Sequence, residues 1–199
     1  MSEIRLTEND FAELYQILDT PVTDFDCGAV CAKSNEGVPI CCEVNVVIPV
    51  LYINEYEYVK RHSCLWQDFI PDMKTDKHLM DDCGYDDVMA ICKGHKKCER
   101  KYRSFVCRTF PFYPFIDESG SFLGLTYNYD FEDKCVLVGK HDIISKHYIK
   151  QFLEAWNYMF HKDESEFEAH YNLCRDIEKS RKRKGKPLHI INLEGVIEI

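Results

Sequence analysis

The residues best suited to chemistry in this chain are its thiols. The stretch FDCGAVCAKSNEGVPICCEV, residues 25 to 44, places Cys27, Cys31, Cys41 and Cys42 among small, polar and turn-forming neighbours. Of the 11 cysteines in the chain, only Cys174 lies outside the span from Cys27 to Cys135, which also holds Cys64, Cys83, Cys92, Cys98 and Cys107. Cysteines scattered as small core residues would not cluster in this way. A thiolate is compact, anionic and soft, and four of them satisfy zinc tetrahedrally or hold an iron–sulfur cluster. Either centre would staple loops that lack an apolar core.

Spacing refines the expectation. Cys27 and Cys31 form C-x3-C, which can turn back through Gly28 so that both sulfurs face one ion. Cys98 and Cys107, in CERKYRSFVC, are too far apart to meet without support from their surroundings. Neighbouring side chains on an extended chain point to opposite faces. Adjacent Cys41 and Cys42 therefore suit separate sites, or a ligand beside a second thiol, better than one simple zinc site. Arg103, Arg108, Lys96 and Lys97 supply positive charge to offset several thiolates, and Arg108, directly after Cys107, is expected to be the partner of the centre. His95 is expected to be solvated rather than to replace a sulfur. Cys64, beside Leu65 and Trp66, and Cys174, on the apolar face of a helix, read as small buried hydrophobes.

The loop C-x3-C-x9-C-C and the downstream CERKYRSFVCRTFPFYP together resemble the bacterial and archaeal cysteine-cluster family of zinc- or iron-chelating domains, whose loop is of the CxxCxxxCC type. The second half of that signature, C-x-x-Y-x-x-R-P-x-x-C-R-x-F-P, finds counterparts in Cys98, Tyr102, Arg103, Cys107, Arg108, Phe110 and Pro111. The first loop is longer than the family's, Ser104 stands where the family has proline, and the spacing after Cys98 differs by about one residue. The resemblance covers roughly residues 25 to 135. It implies a bound iron–sulfur cluster or zinc, with Cys27, Cys31, Cys42, Cys98 and Cys107 as ligands, followed by Cys41, Cys83, Cys92 and Cys135. A more distant likeness, to the flagellin lysine-N-methylase group, implies an enzyme of protein or peptide modification as the alternative.

Other chemistry has little support. There is no phosphate-binding loop, no dinucleotide fingerprint and no H-E-x-x-H. His141, His147, His161 and His170 do not fall on one helical face and read as solvated surface. The formal net charge of −9 argues against nucleic acid and anionic membrane as partners. No apolar run is long enough to span a bilayer. MSEIRLTEND lacks the basic and apolar parts of a secretory signal, so the expected location is cytoplasmic, where thiols stay reduced.

The elements that must position these thiols are legible in outline. Thr7 and Asp10 are placed as a capping box before a helix carrying Phe11, Leu14, Ile17 and Leu18. VNVVIPVLYI, residues 44 to 53, reads as an apolar extended segment, and Asn54 as the cap of a short helix. From Trp66 to Cys107 periodicity is low, and apolar burial alone is not expected to hold the segment. FYPFI and FLGLTYNY flank Asp117-Glu118-Ser119-Gly120 as a hairpin. Ile144, Tyr148, Phe152, Trp156 and Met159 mark one amphipathic helix, and Phe167, Tyr171, Cys174 and Ile177 a second.

The expected whole is a single α+β domain over 1–199, with a metal-stapled, loop-rich centre over 25–135 and a helical hairpin over 140–180. The basic run SRKRKGKP is expected to complement the helix dipole and be solvated, and IINLEGVIEI to form a terminal strand or docking tail. Three functions follow: a structural or electron-transferring metal protein, a cluster-dependent enzyme, and a zinc-shaped module that meets a protein or peptide partner through FPFYPF.

Overall fold

The computed structural model describes residues 6–43, 47–70, 84 and 87–199. Helix α1 (Glu8–Ile17) begins as its capping box predicts. The Thr7 backbone N–H donates to the Asp10 carboxylate at 2.8 Å, and the Asp10 N–H returns to the Thr7 hydroxyl at 3.4 Å. Its buried residues are Asp10, Phe11, Leu14 and Tyr15. A short helix α2 (Cys27–Ala32) follows, capped by the Asp26 side chain, and the next thiol pair lies in a single 3₁₀ turn at Ile40–Cys42.

Strand β1 (Val50–Tyr52) is all of the 44–53 segment that forms strand among the described residues, because it can start only after Pro49; residues 44–46 lie outside them. Helix α3 (Ile53–His62) is entered from Tyr52 rather than Asn54. The Asn54 amide instead donates to the Leu6 carbonyl at 2.7 Å, tying α3 to the start of α1.

The described residues in the middle of the chain form more regular structure than its weak periodicity suggests. Strands β2 (Trp66–Asp68) and β3 (Asp87–Cys92) join β1 in an antiparallel sheet of order β1-β3-β2. Leu51, Trp66 and Ala90 of that sheet enter the main core, so apolar burial does hold part of this region. The signal is weak because each strand buries only one residue. Cys83 lies outside the described residues.

Helix α4 (Phe105–Thr109) leads into the expected hairpin, β4 (Phe112–Ile116) and β5 (Phe122–Tyr127). Asp117 closes the turn by accepting the backbone N–H groups of Ser119 and Ser121, at 2.9 and 2.8 Å. Gly124 allows the next strand to approach: a Cβ there would stand 2.2 Å from the Ile191 carbonyl oxygen. Strands β6 (His189–Ile191) and β7 (Val196–Glu198) complete a four-stranded antiparallel sheet of order β4-β5-β6-β7, so the chain's last segment is sheet.

Helices α5 (Lys146–Lys162) and α6 (Glu164–Lys184) fold back at Asp163, bringing Trp156 to 4.4 Å from His170 and Phe160 to 5.3 Å from Phe167, ring centroid to ring centroid. His170 is therefore packed among aromatic rings and not solvated, and burial pulls its pKa down to about 4. Gly185, in the left-handed region at φ +61°, ends α6. Not all of the basic run is solvated either. Arg181 is buried, stacked 3.9 Å over the Tyr129 ring and paired with Glu132 at 3.0 Å.

The architecture is α+β. One core unites α1, α3, α4, α5 and both sheets around Phe11, Tyr56, Phe105, Phe112, Tyr148, Phe152 and Trp156. Pro114 and the rings of Phe112 and Phe115 are buried, so the FPFYPF segment supplies core rather than a contact surface. No described helix is long and apolar enough to cross a membrane.

Candidate metal centre

Five segments carry eight of the thiols to one cavity and the cleft beside it. On α2, Cys27 and Cys31 stand one helical turn apart and so share a face, which is the turning-back that C-x3-C predicts. Gly28 keeps the helix close to the next segment, since a Cβ there would meet the Pro39 ring at 3.3 Å. The 3₁₀ turn at Ile40–Cys42 changes the expectation for the adjacent pair. Its tight winding places the Cys41 and Cys42 sulfurs on the same side, 4.0 Å apart, instead of on opposite faces. Strand β3 ends in Cys92, a 3₁₀ turn at His95–Lys97 precedes Cys98, and α4 presents Cys107.

Cys41, Cys42, Cys92, Cys98 and Cys107 line one cavity of about 40 Å³, together with Arg103, Leu65, Trp66 and Ile91. Beside it opens a cleft of about 430 Å³ walled by Cys27, Cys31 and Cys135, which meets the cavity at Cys41, Cys42, Arg103 and Cys107. Eight of the nine thiols named as ligand candidates thus gather here, counting all but Cys83. All ten described cysteines, Cys64 and Cys174 included, are free thiols.

The two thiols read as apolar fillers part company. Cys174 is fully buried and accepts the Ile116 N–H at 3.3 Å, whereas Cys64 is exposed, because the turn between α3 and β2 points it to solvent.

The cation on the sulfurs is Arg103. Its Nε–H donates to the Cys98 sulfur at 3.0 Å. Arg108 is buried and turned the other way, stacked 4.2 Å over Tyr15 and donating to the carbonyls of Leu18, Lys101 and Arg103 at 2.7 to 2.9 Å. It holds the loop that carries Arg103 to α1, and it reaches the centre only as part of the cleft wall. Sequence adjacency to Cys107 pointed to Arg108, but on a helix a residue and its successor face about 100° apart. His95 also lines the cleft.

Burial governs thiol acidity here. It pushes Cys107 up to about 12 and Cys135 up to about 11, and raises Cys27 and Cys92 as well. The contact between the adjacent pair splits it, with Cys42 drawn down to about 7 and Cys41 raised. Backbone N–H groups also reach sulfur, as in the Gly94 N–H to Cys92 at 3.4 Å.

The donor set suits a thiophilic metal. Two sulfurs on one tetrahedral zinc, each about 2.3 Å from the ion, stand roughly 3.8 Å apart. The Cys41–Cys42 separation of 4.0 Å is close to that edge. The remaining sulfurs line walls: among the described residues, no group of three or more His, Cys, Asp or Glu is already gathered at metal-binding spacing. No protein-family model, curated protein or solved structure matches this chain.

Proposed function

We propose that this chain is a metal-binding protein whose cysteines hold an iron–sulfur cluster or zinc, in a structural or electron-transferring role, as in the cysteine-cluster family it resembles. One observation carries the reading: five thiols from three separate segments line a single small cavity beside one guanidinium. Packing alone gives no reason for that arrangement, because an aliphatic side chain fills space better than a thiol and needs no cation. When bound, the metal would supply a strong electrostatic staple between loops, or a one-electron couple if it is an iron–sulfur cluster.

The chain's own residues prepare for that charge. Cys41, Cys42, Cys92, Cys98 and Cys107 would hold the centre, and Arg103 offsets thiolate charge through Cys98. The thiols of Cys41, Cys92 and Cys107 are raised above their ordinary pKa, so binding must release protons and strengthens as pH rises. A reducing cytoplasmic setting keeps them available.

A second reading, a metal-dependent enzyme of protein or peptide modification, draws support from the cleft. At about 430 Å³ it falls in the range of small-ligand sites, and it meets the cavity at four shared residues.

The test is purification without oxygen, followed by iron, zinc and acid-labile sulfide analysis of one sample. Near-stoichiometric zinc, or iron with matching sulfide, is expected, and Cys107→Ser should lower it sharply while Cys174→Ser leaves it unchanged. Negligible metal in the wild type, with thiols intact, overturns the reading.

A further inference from the structure

Strand β7 is the outer strand of its sheet, and all three of its residues are exposed. On the inner side, Ile199 exchanges both backbone hydrogen bonds with Leu188, the residue before β6, at 2.8 and 2.9 Å. Bonded pairs alternate along an antiparallel ladder. In the register that sets Ile190 opposite Ile197, the backbone of Ile197 therefore also faces β6, while Val196 and Glu198 turn their N–H and C=O groups to the open edge.

The side chains show the same openness. Leu188 and Ile190 lie on the face covered by α6, packed with Cys174 and Ile177, and each is only 1% exposed. Residues directly opposite one another share a face, yet Ile199 and Ile197 across from them are 58% and 42% exposed. The apolar row of the core thus continues onto the edge uncovered. Edge strands are ordinarily blunted by lysine, proline or shortness. Strand β7 is short but carries neither residue, and Glu198 turns to the other face, 3.3 Å from His189.

The surroundings of the edge select its occupant. A groove of about 550 Å³ joins it at Leu188 and Ile199 and is lined along α6 and the turn after it by Arg175, Lys179, Lys182 and Lys186. Its two carboxylates both serve Arg175, Glu178 at 2.8 Å and Glu118 at 3.9 Å. Lys186 is held by Glu132, and Lys179 meets Asp176 only in a solvent-exposed pair, which holds it weakly. Lys182 has no ion pair among the described residues. Residues 181–186 hold five cations and no anion, in a chain of net charge −9.

We infer that β7 and this groove form a docking site for an acidic, extended peptide segment that joins the sheet as its next strand. Val196 and Glu198 bond its backbone, Ile197 and Ile199 pack against its apolar side chains, and Lys179 and Lys182 meet its carboxylates. A second copy of the chain fits less well. Antiparallel pairing of β7 with β7 keeps both α6 helices on one side of the joined sheet and sets like charges together. The inference stands apart from the thiols.

The experiment measures binding of a fluorescent octapeptide of repeating Val-Val-Glu-Glu, which puts both side-chain types on each face, to the full-length protein by anisotropy. Binding is expected, with the amide resonances of Val196 and Glu198 shifting on addition of the unlabelled peptide. Val196→Pro removes an outward N–H without touching the ladder to β6, and should weaken binding about tenfold or more. A fully N-methylated octapeptide should lose as much, and it makes the same test on the unaltered protein where Val196→Pro disturbs the sheet. Lys179→Glu/Lys182→Glu should weaken binding about tenfold at low salt and less at high salt. Circular dichroism checks that both variants fold. Binding that survives N-methylation, or is matched by a single-stranded oligonucleotide of equal charge, overturns the inference, because the cations alone would then hold any polyanion. No binding also overturns it, as does a wild-type dimer that Val196→Pro dissolves, which would give the edge to a second copy.

Discussion

The half of the molecule built on β4, β5, α5 and α6 and the half that carries the thiols are held together by different means. In the first, aromatic rings interlock: Phe112 lies 5.3 Å from Tyr127 and 6.4 Å from Phe152, and Trp156 lies 5.2 Å from Phe105, centroid to centroid. In the second, α2, the 3₁₀ turns and the loops between them bury little beyond Cys31, Ile40, Cys135 and Leu137, and rely on side-chain hydrogen bonds, the Arg108 clasp and thiols. The contrast teaches that burial can define one half outright, while the other keeps its shape through polar groups that a metal would reinforce.

The largest expected effect tests the aromatic half. Phe152 is fully buried, and Phe152→Ala should cost about 3–5 kcal/mol through lost transfer energy and the cavity left behind. Denaturant unfolding measures it. Metal content per folded molecule should be unchanged, and a parallel loss of metal would break the division between the halves.

The seam between the halves should respond to pH. Glu55 is buried between α1 and α4, accepting the Tyr15 hydroxyl at 2.7 Å and the Phe105 N–H, and burial pushes its pKa up to about 7. A raised carboxyl pKa contributes stability that is fully present below the unfolded value, near 4.5, and is lost as pH rises through about 7. His170 acts in the opposite sense: its depressed pKa contributes stability above about 6.5 that is lost as pH falls through about 4. Glu55→Gln removes only the first of these two pH dependences. Relative to the wild type, this variant should gain on the order of 3 kcal/mol between pH 4.5 and 7.5, measured by urea unfolding at both ends. A pH-independent difference would place Glu55 in a wetter site than the one described.

Chelation sharpens the contrast further. Removing metal should speed proteolysis within residues 25–43 and 93–104 by roughly tenfold, about 1.4 kcal/mol of local opening, while 112–127 and 146–191 stay resistant. Fragment mapping decides it, and uniform cleavage along the chain would show that one cooperative unit spans both halves.

The smallest effect belongs to the capping box. Thr7→Ala should cost about 1 kcal/mol, seen as a small drop in midpoint denaturant with no change in metal content.

Local patterns were legible in the amino-acid order alone. The Thr7–Asp10 box, the turn at Asp117, the two apolar helical faces and the α+β class depend on neighbours a few residues apart, and such interactions form wherever the sequence places them. The crowding of thiols between Cys27 and Cys135 was equally plain. What the order of residues could not settle was which groups meet. Cys41 and Cys42 share a side because their segment winds into a 3₁₀ turn. Arg103 takes the sulfur and Arg108 the carbonyls because α4 and the loop before it lie between α1 and the cavity. His170 and Arg181 are buried by partners contributed from other elements, and Cys64 is exposed by the turn it occupies. The separation of three thiols from five likewise belongs to tertiary structure, since Cys135 lies more than a hundred residues from Cys31 along the chain and only packing of both against Ile40 and Leu137 brings them together.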